Sequence, residues 1–312
     1  MQGTYRHSIR AMNTEWEFQL CGTNPVFLRG VAEDAAGEVF RLDGQLSLFE
    51  ATSETSDVNR NSGTGPVVVD RRFFYLLQRA KQYSQVTNGA FDITVAPLMR
   101  AWKLQGGQGA VPTDDEVQAA LSLTGSHMLH LDDTAYTVFL EREGMSIDLG
   151  AIGKGYAIDC ASALVTDYGV EAALLHSGSS TVYGIGCTLE GDPWKVQVKL
   201  PQAPGAWGES ETVVFQLSNR ALSVSAPHGK WFERDGVRYG HVMDSSTGRP
   251  VQGSLLAAVS VGSAEVSDAL STALLGAGKS LLPSLVKFYP DLQAVVVDME
   301  DDEVTVTTVG IP

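Results

Sequence analysis

The order of strand-like segments along the chain is the feature that most limits its fold. In the C-terminal part, six strand-like segments follow one another: PWKVQVKL, TVVFQLSN, ALSVSAP, LAAVSVGS, AVVVDME and DEVTVTTVG. Helical sequence separates them at one point only, between LAAVSVGS and AVVVDME. Parallel strands need a long crossover between them, usually a helix, whereas strands that come in blocks pair with antiparallel neighbours. The sequence therefore predicts an α+β fold, with mixed or antiparallel sheets and flanking helices, rather than a doubly wound parallel sheet.

Helical spacing of apolar residues is clearest in DRRFFYLLQRAKQYSQVTNG, where Asn88 and Gly89 mark the end of the predicted helix. Further helices are predicted in TDDEVQAALSL, KGYAIDCASALVTDYG, AEVSDALSTALLGAG and KSLLPSLVKFYP. A helix-like stretch is also predicted around LDGQLSLFEATS, whereas the polar segment SETSDVNRNSGTGP is predicted to be a loop. EWEFQLCG is predicted to be a strand, and HMLHLDDTAYTVFLEREGMSID a strand hairpin.

Composition and spacing predict one domain. The 312 residues are 44% hydrophobic and 19% charged, which is enough apolar material for a large core without disulfides. Cys21, Cys160 and Cys187 are far apart and form no CxxC or Cys/His cluster, so neither a disulfide framework nor a zinc site is expected. Because no repeat and no Pro- or Ser-rich linker divides the chain, we expect a single domain over residues 1–312, either as one body or as two interleaved α+β lobes.

The charge balance limits the partners of the chain. Asp and Glu number 37 against 22 Lys and Arg, a formal net charge of −15. Such a surface repels phosphate backbones, so no nucleic-acid partner is expected. An anionic ligand would need a local device such as a helix N-terminus, a lysine or a metal ion.

The first twenty residues contain no apolar run of the signal-peptide type, and no segment approaches the length of uninterrupted apolar sequence that spans a membrane. We therefore expect a cytoplasmic protein without an integral membrane segment, or an exported one if the N-terminus is truncated.

A glycine-rich turn, SIDLGAIGKGYAID, is the first candidate for a phosphate site. It is not a P-loop, because Gly155 stands where that motif needs a hydroxyl after Lys154, and it is not a dinucleotide fingerprint, because Ile158 replaces the third glycine. Asp148, Lys154 and the amides at the start of the following helix still form a reasonable pyrophosphate cradle. On this stretch alone, a tight turn whose glycines allow close packing is an equal alternative.

Four stretches, taken in order, resemble the ApbE family, the FAD:protein FMN transferases: TNGAFDITVAPLMRAW, DLGAIGKGYAID, RYGHVMDSSTGRP and AEVSDALSTALLG. AMNTEWEFQL and SDVNR add support, and the resemblance runs from about Arg10 to Gly276. It implies the ApbE-like fold with an FAD cleft between lobes. It also implies a reaction in which FAD is cleaved at its pyrophosphate, FMN is attached to a threonine or serine hydroxyl of an acceptor protein, and AMP leaves.

The same resemblance implies a magnesium site and an FAD site. Asp268 and Thr272 lie four residues apart, on one face of a predicted helix, and offer the oxygen ligands that Mg²⁺ prefers. The family's metal is completed by a main-chain group that maps to Ala151, and Ser271 lies close by. The FAD contacts implied by the family are Met12, Phe49, Ala90, Phe91, Asp92, Asp148, Lys154 and Met243.

His241 and Asp244 in HVMDSSTG resemble the family's His-x-x-Asp motif and are the implied catalytic residues. Imidazole is the side chain best suited to proton transfer near neutral pH, so His241 is the candidate base or acceptor-orienting group. Asp244 is expected to position the loop, and Thr247 and Gly248 to form its turn.

Two stretches depart from the family pattern. Gly178-Ser179-Ser180 stands where members often have Gly-Gly-Asp, and the loop from Ser225 to Gly229 lacks the usual Tyr-Glu pair. These departures keep two alternatives open beside the transferase. One is a Mg²⁺-dependent pyrophosphatase that splits FAD into FMN and AMP, and the other is a divergent, non-catalytic FAD-binding protein.

Overall fold

The structure is a computed structural model that describes residues 3–105, 109–202, 211–227, 231–300 and 303–311. His228 and Gly229, in the second departing loop, lie outside these residues. The described helices are α1 (Pro25–Leu46), α2 (Glu54–Arg60), α3 (Arg71–Val86), α4 (Ala96–Ala101), α5 (Asp114–Leu121), α6 (Gly153–Asp167), α7 (Ala264–Ala277) and α8 (Leu282–Phe288). Short 3-10 turns cover Ser126–Met128 and Gly278–Leu281.

Strands follow in blocks, as the sequence predicts. They are β1 (Gly3–Ala11), β2 (Thr14–Gly22), β3 (Val67–Val68), β4 (Leu129–Asp132), β5 (Thr137–Leu140), β6 (Ala172–Ser177), β7 (Thr181–Ile185), β8 (Trp194–Lys199), β9 (Thr212–Leu217), β10 (Arg220–Ser225), β11 (Trp231–Arg234), β12 (Val237–Gly240), β13 (Met243–Asp244), β14 (Arg249–Pro250), β15 (Ser254–Val261), β16 (Gln293–Glu300) and β17 (Glu303–Val309).

One eight-stranded sheet organises the molecule, in the order β1-β2-β6-β7-β10-β15-β16-β17. Every neighbouring pair in it is antiparallel. The sheet contains both the first and the last of the described strands. Smaller sheets are formed by β3-β5-β4 and by three two-stranded pairs, β8-β9, β11-β12 and β13-β14.

The large sheet is covered on both faces, and β15 shows how. Ala257 and Val259 of this strand belong to the main core with the helices, whereas Leu256 and Ala258 belong to a second core under the β8-β9 hairpin. Successive side chains of a strand point to opposite faces. Burial on both faces explains the consecutive apolar residues from Leu255 to Val259.

The helix predicted around LDGQLSLFEATS is wrong in its bounds, and the polar segment predicted as a loop contains α2. Helix α1 begins much earlier, where the Asn24 side chain accepts hydrogen bonds from the amides of Val26 and Phe27, both at 3.1 Å. Its buried stripe includes three alanines, which carry a weak apolar signal in sequence. Helix α2 is started by the Ser53 hydroxyl, which accepts from the Ser56 amide at 3.0 Å.

The helical stretch Ala264–Phe288, made of α7, the following 3-10 turn and α8, is long and apolar enough, by length and composition, to cross a membrane, with a mean hydropathy of 1.3. Half of its most apolar window is buried inside the protein, and Gly278 interrupts it with a φ of +63°. Helix α7 packs against β10, β15 and α6, so the stretch has the features of a core helix.

Candidate functional site

A cavity of about 820 Å³ brings together most of the residues that the sequence singles out. Its walls come from the glycine-rich turn before α6, the turn between β6 and β7, the start of α7, strand β8, and the segments 90–92 and 241–243. Among the predicted site residues, those that line the cavity are Ala90, Phe91, Asp92, Asp148, Ala151, Lys154, His241, Met243, Asp268 and Thr272.

The glycine-rich turn serves packing and also faces the cavity. A Cβ on Gly155 would lie 2.2 Å from the carbonyl oxygen of Ala264 and 2.7 Å from Cβ of Asp268, so only glycine lets α6 approach α7 this closely. On the cavity side, Asp148 Oδ1 accepts from the Gly150 amide at 2.8 Å, and Lys154 Nζ donates to the Gly150 carbonyl at 3.1 Å. Close packing and a cavity-facing turn therefore coexist in this motif.

Asn59 on α2 holds the backbone just before this turn. Its Oδ1 accepts from the Ile147 amide at 2.7 Å and its Nδ2 donates to the Ile147 carbonyl at 3.0 Å. Asp148 follows directly, and its own amide donates to the Ile93 carbonyl at 2.7 Å. The sequence marks Asn59 only as part of a resembling segment, because a contact across 88 residues leaves no local pattern.

Asp268 is the buried carboxylate of the site, with 4% of its surface exposed. Its Oδ2 accepts from the Gly155 amide at 2.9 Å. Burial raises the pKa of Asp268, while the Lys154 charge, the Gly155 amide and the Thr181 hydroxyl act in the opposite direction. Because these groups do not fully offset the effect of burial, a bound cation would stabilise the carboxylate form of Asp268.

Hydroxyl groups gather beside Asp268. Thr272 Oγ1 donates to the Asp268 carbonyl at 3.2 Å and lies 3.4 Å from Ser225 Oγ. Ser271 is fully buried, donates to the same carbonyl at 3.0 Å, and lies 2.8 Å from Ser225. Thr272 lines the cavity, whereas Ser271 lies buried beside it and contacts Ser225.

These donors fit a magnesium ion better than a softer metal. Within the described ranges, no group of three or more His, Cys, Asp or Glu side chains could hold a metal by itself. Asp268, Thr272 and the main chain at Ala151 instead offer one carboxylate and neutral oxygens in the wall of one cavity. Mg²⁺ is commonly bound by one or two carboxylates together with substrate phosphates, so the residues fit that ion.

Asp159 fixes the start of α7 and thereby the position of Asp268. It accepts from the Ser263 hydroxyl at 2.6 Å and from the amides of Ala264 and Glu265 at 2.8 and 2.9 Å. Burial raises the pKa of Asp159, and these hydrogen bonds partly offset it. Sequence reasoning missed this role, although Asp159 closes the DLGAIGKGYAID motif and its spacing from Lys154 places it on α6.

Packing against Tyr83 holds the Phe91 side chain, and hydrogen bonds hold the Asp92 side chain. The Phe91 ring is 1% exposed and meets the Tyr83 ring edge-on at 6.2 Å. Asp92 Oδ1 accepts from the Thr94 amide and hydroxyl at 2.8 and 2.6 Å, and its Oδ2 accepts from the Ser126 amide at 2.9 Å. The Asp92 carboxylate thus anchors its own segment.

Asp244 holds the loop that follows His241 and Met243. Its Oδ1 accepts from the Ser246 amide and hydroxyl at 2.8 and 2.6 Å, and its Oδ2 from the Thr247 hydroxyl at 2.9 Å. Partial burial raises the pKa of Asp244, but these hydrogen bonds outweigh it and hold the pKa below its ordinary value. Because Asp244 is not among the residues that line the cavity, the geometry makes it a positioning residue.

Met12 and Phe49 are the two expected FAD contacts that do not line the cavity. Met12 lies in the turn between β1 and β2 with a φ of +49°, and its amide donates to Asp43 Oδ2 at 2.9 Å. Phe49 follows α1 and is 69% exposed. Their role toward FAD stays a prediction.

The departing residues also line the cavity. Gly178 has a φ of +55°, and a Cβ there would lie 2.3 Å from Thr14 Oγ1, so the turn requires glycine. Ser179 and Ser180 follow it in the cavity wall, where the family resemblance expects a carboxylate. The next residue, Thr181, accepts from Ser223 Oγ at 3.1 Å and hydrogen-bonds Asp268, which ties the turn to the buried carboxylate.

Comparisons with known proteins agree with this architecture. The ApbE family model matches residues 12–296. An FAD:protein FMN transferase of Klebsiella pneumoniae is 30% identical over 289 residues, covering 89% of this chain and 87% of that protein. One of Treponema pallidum is 29% identical and covers 89% and 81%.

Solved structures extend the similarity to the fold. The crystal structure of the ApbE protein from Thermotoga maritima matches with a TM-score of 0.85 at 28% identity, over 98% of this chain and 96% of that one. The flavin transferase ApbE of Vibrio cholerae also has a TM-score of 0.85, over 99% of this chain and 97% of that one; at 21% identity it supports the fold alone. The predicted α+β fold is thereby confirmed.

Proposed function

This chain belongs to the ApbE family, and from that membership we propose that it is a magnesium-dependent FAD:protein FMN transferase that attaches FMN to a threonine or serine hydroxyl of an acceptor protein and releases AMP. The observation that carries the proposal is one continuous cavity. It places the Asp268–Thr272 pair and Lys154 in the same space as His241, Met243 and the Ala90–Asp92 segment.

The pyrophosphate of FAD fits at the start of α6. In the first turn of α6, the Gly153 amide donates to the Leu149 carbonyl at 2.7 Å and the Gly155 amide donates to Asp268 Oδ2 at 2.9 Å, so the anion would be met by Lys154 rather than by these amides. Lys154 adds a positive charge in the first turn of the helix and lines the cavity. Phe91 and Met243 supply apolar surface for a ring system.

Magnesium, when bound, would neutralise charge on the pyrophosphate during transfer. Asp268, Thr272 and the main chain at Ala151 would hold it. The Gly155 amide keeps Asp268 Oδ2 oriented, and the Thr181 hydroxyl supports the carboxyl group from the β6-β7 turn. These contacts orient the carboxyl group that would hold the metal.

In the transfer, the acceptor oxygen forms a bond to the FMN phosphorus while the bond from that phosphorus to the AMP oxygen breaks. The acceptor hydroxyl must lose its proton, and His241 is positioned in the cavity wall to take it. Asp244 keeps the following loop in place through Ser246 and Thr247. The negative charge of the leaving AMP would develop in the cavity that Lys154 lines.

The test needs an acceptor, which can be found in the source cells as a protein whose covalent flavin fluorescence disappears when the gene for this chain is deleted. Purified chain, FAD, Mg²⁺ and that acceptor should give AMP and an acceptor heavier by one FMN. His241→Asn should lose transfer while it retains FAD binding. AMP without labelled acceptor would identify a pyrophosphatase, and intact FAD after long incubation would identify a non-catalytic flavin-binding protein.

A further inference from the structure

The β8-β9 hairpin packs on the large sheet through the second core, and Trp194 anchors its base. At its base, Trp194 Nε1 donates to the Ile185 carbonyl at 3.0 Å. Gly184 lies directly beneath, where a Cβ would come within 2.8 Å of the Trp194 ring and 3.0 Å of Leu217 Cβ. Further along β8, Val198 still packs in this core, and residues 196–199 border the part of the cavity between hairpin and sheet, here called the wedge.

The backbone edge of β8 faces this space. Val196, Gln197, Val198 and Lys199 are four consecutive residues, and all of them line the cavity. Val196 and Val198 turn toward the second core, whereas Gln197 and Lys199 lie on the exposed side, so residues of both faces border the cavity and the strand edge lies between them. Within the described parts of the chain, β8 pairs with β9 alone. Its other edge therefore presents amide and carbonyl groups without a strand partner.

The opposite wall of the wedge is apolar and continues to the reacting centre. It is formed by side chains from four strands of the large sheet, β6, β7, β10 and β15, namely Leu174, Val182, Leu222, Val224 and Leu256. None of them is among the residues expected to contact FAD. The same cavity extends past Ser180 and Ser225 to Asp268 and Thr272, so an occupant of the wedge would reach the site of transfer.

Two lysines give this edge a local positive charge on a chain with a net charge of −15. Lys195 and Lys199 lie four residues apart on the exposed side of β8, about 13 Å from each other at the usual rise of a strand. Among the described residues, neither forms an ion pair. Edge lysines deter pairing between copies of the chain and attract a strand that carries acidic residues.

We propose that the free edge of β8 is the docking site of the acceptor protein, which binds as an extended, acidic segment paired with β8 and presents its hydroxyl residue toward Asp268 and Thr272. Main-chain hydrogen bonds along the edge supply affinity, as is usual when a peptide adds a strand to a sheet, and small apolar side chains of the segment fill the wedge. This inference rests on the proposed function, because only a transferase needs an acceptor.

The probes are two fluorescent peptides of 13 residues with a central threonine among alanines and valines. One carries two aspartates four residues apart, and the other carries two lysines at the same positions. Binding is measured by fluorescence anisotropy, with and without FAD, and FMN labelling by mass spectrometry. We expect the acidic peptide to bind about tenfold more tightly at low salt, with the preference falling in 0.5 M NaCl.

The double variant Lys195→Glu/Lys199→Glu should reverse the preference, so that the basic peptide binds better. Lys287→Glu, an equal charge change on the exposed side of α8, is the matched control and should leave the preference unchanged. A preference that is absent, or that survives the double variant, overturns the docking site.

Two further outcomes distinguish acceptor docking on β8 from FAD binding there and from recognition of a folded acceptor. A tenfold loss of FAD affinity in Lys199→Glu would place FAD rather than the acceptor against β8, and would overturn the proposal. The same holds if wild-type protein labels its natural acceptor but neither binds nor labels any peptide, since a folded surface would then be recognised. Peptide binding through β8 without AMP release from FAD would support the docking site and contradict the transferase.

Discussion

Gly155 and Asp268 meet through a hydrogen bond of 2.9 Å that joins positions 113 residues apart. The Gly155 amide orients the buried carboxylate, and the missing side chain of Gly155 lets the backbone of α6 touch α7. One residue thus links the glycine-rich turn to the helix that carries the proposed metal ligands.

Gly155→Ala should separate α6 from α7. The new methyl would lie 2.2 Å from a backbone oxygen that cannot move freely, so we expect a loss of about 1–3 kcal/mol in the free energy of unfolding and weaker Mg²⁺ dependence. Urea denaturation and a Mg²⁺ titration of AMP release measure both. Gly37→Ala, in an exposed position of α1 with nothing within 4 Å, is the control and should gain about 0.5–1 kcal/mol.

Asp268→Asn should remove most of the turnover, and the turnover that remains should no longer depend on Mg²⁺. The amide is nearly isosteric and can still accept from the Gly155 amide, but it loses the charge that a divalent cation needs. We expect kcat to fall by about a hundredfold or more while the FAD dissociation constant, measured by flavin fluorescence without metal, changes little. Asp167→Asn, exposed on α6, is the control and should behave as wild type. If Asp268→Asn retained Mg²⁺-dependent activity, the Asp268 carboxylate would not be the metal ligand.

Asn59→Leu should loosen the turn that begins at Asp148. The substitution leaves both the amide and the carbonyl of Ile147 without their partner, which costs about 2 kcal/mol for partly buried groups. We expect a lower melting temperature and a higher KM for FAD. Asn59→Asp keeps the acceptor for the Ile147 amide only, so its melting temperature and KM should lie between those of the wild type and Asn59→Leu. Equal KM values in the wild type and both variants would contradict a positioning role.

The loop held by Asp244 should depend on pH. The pKa of Asp244 is depressed in the folded protein, so its contribution to stability is complete above the ordinary carboxyl range and disappears as pH falls through the lower folded value. Asp244→Asn should therefore destabilise the protein at pH 7 and pH 5, by less than about 1 kcal/mol because solvent reaches the group, and by a smaller amount at pH 2.5. Urea midpoints at the three pH values measure this, with Asp133→Asn as the exposed control. A difference that stays constant down to pH 2.5 would refute the assignment.

Local sequence is sufficient for elements whose side chains carry a clear period or cap. Apolar spacing predicts the helix over Arg71–Val86 and the strand Thr14–Gly22, and the strand blocks predict the α+β class. Apolar spacing misplaces helix α1 because alanines fill the face that packs on α6, and it misses α2 because a capping serine and charged residues resemble a loop.

The chemistry of the candidate site is also visible in sequence, because residue types and their order along the chain carry it. Asp268 and Thr272, the glycine-rich turn and His241 can be named without coordinates. The roles of Asn59, Asp159 and Thr181 cannot, since each acts through contacts with residues far away in the chain.

What the sequence determined by itself is the class of fold, the family and the set of reactive groups, because apolar period and motif order are local properties. The tertiary structure alone decided that Gly155 serves helix packing as well as the cavity, that Asp159 fixes the start of α7, and that the edge of β8 borders the cavity. These depend on the close approach of distant backbones, which is governed by packing density and hydrogen-bond geometry and leaves no pattern within any one segment.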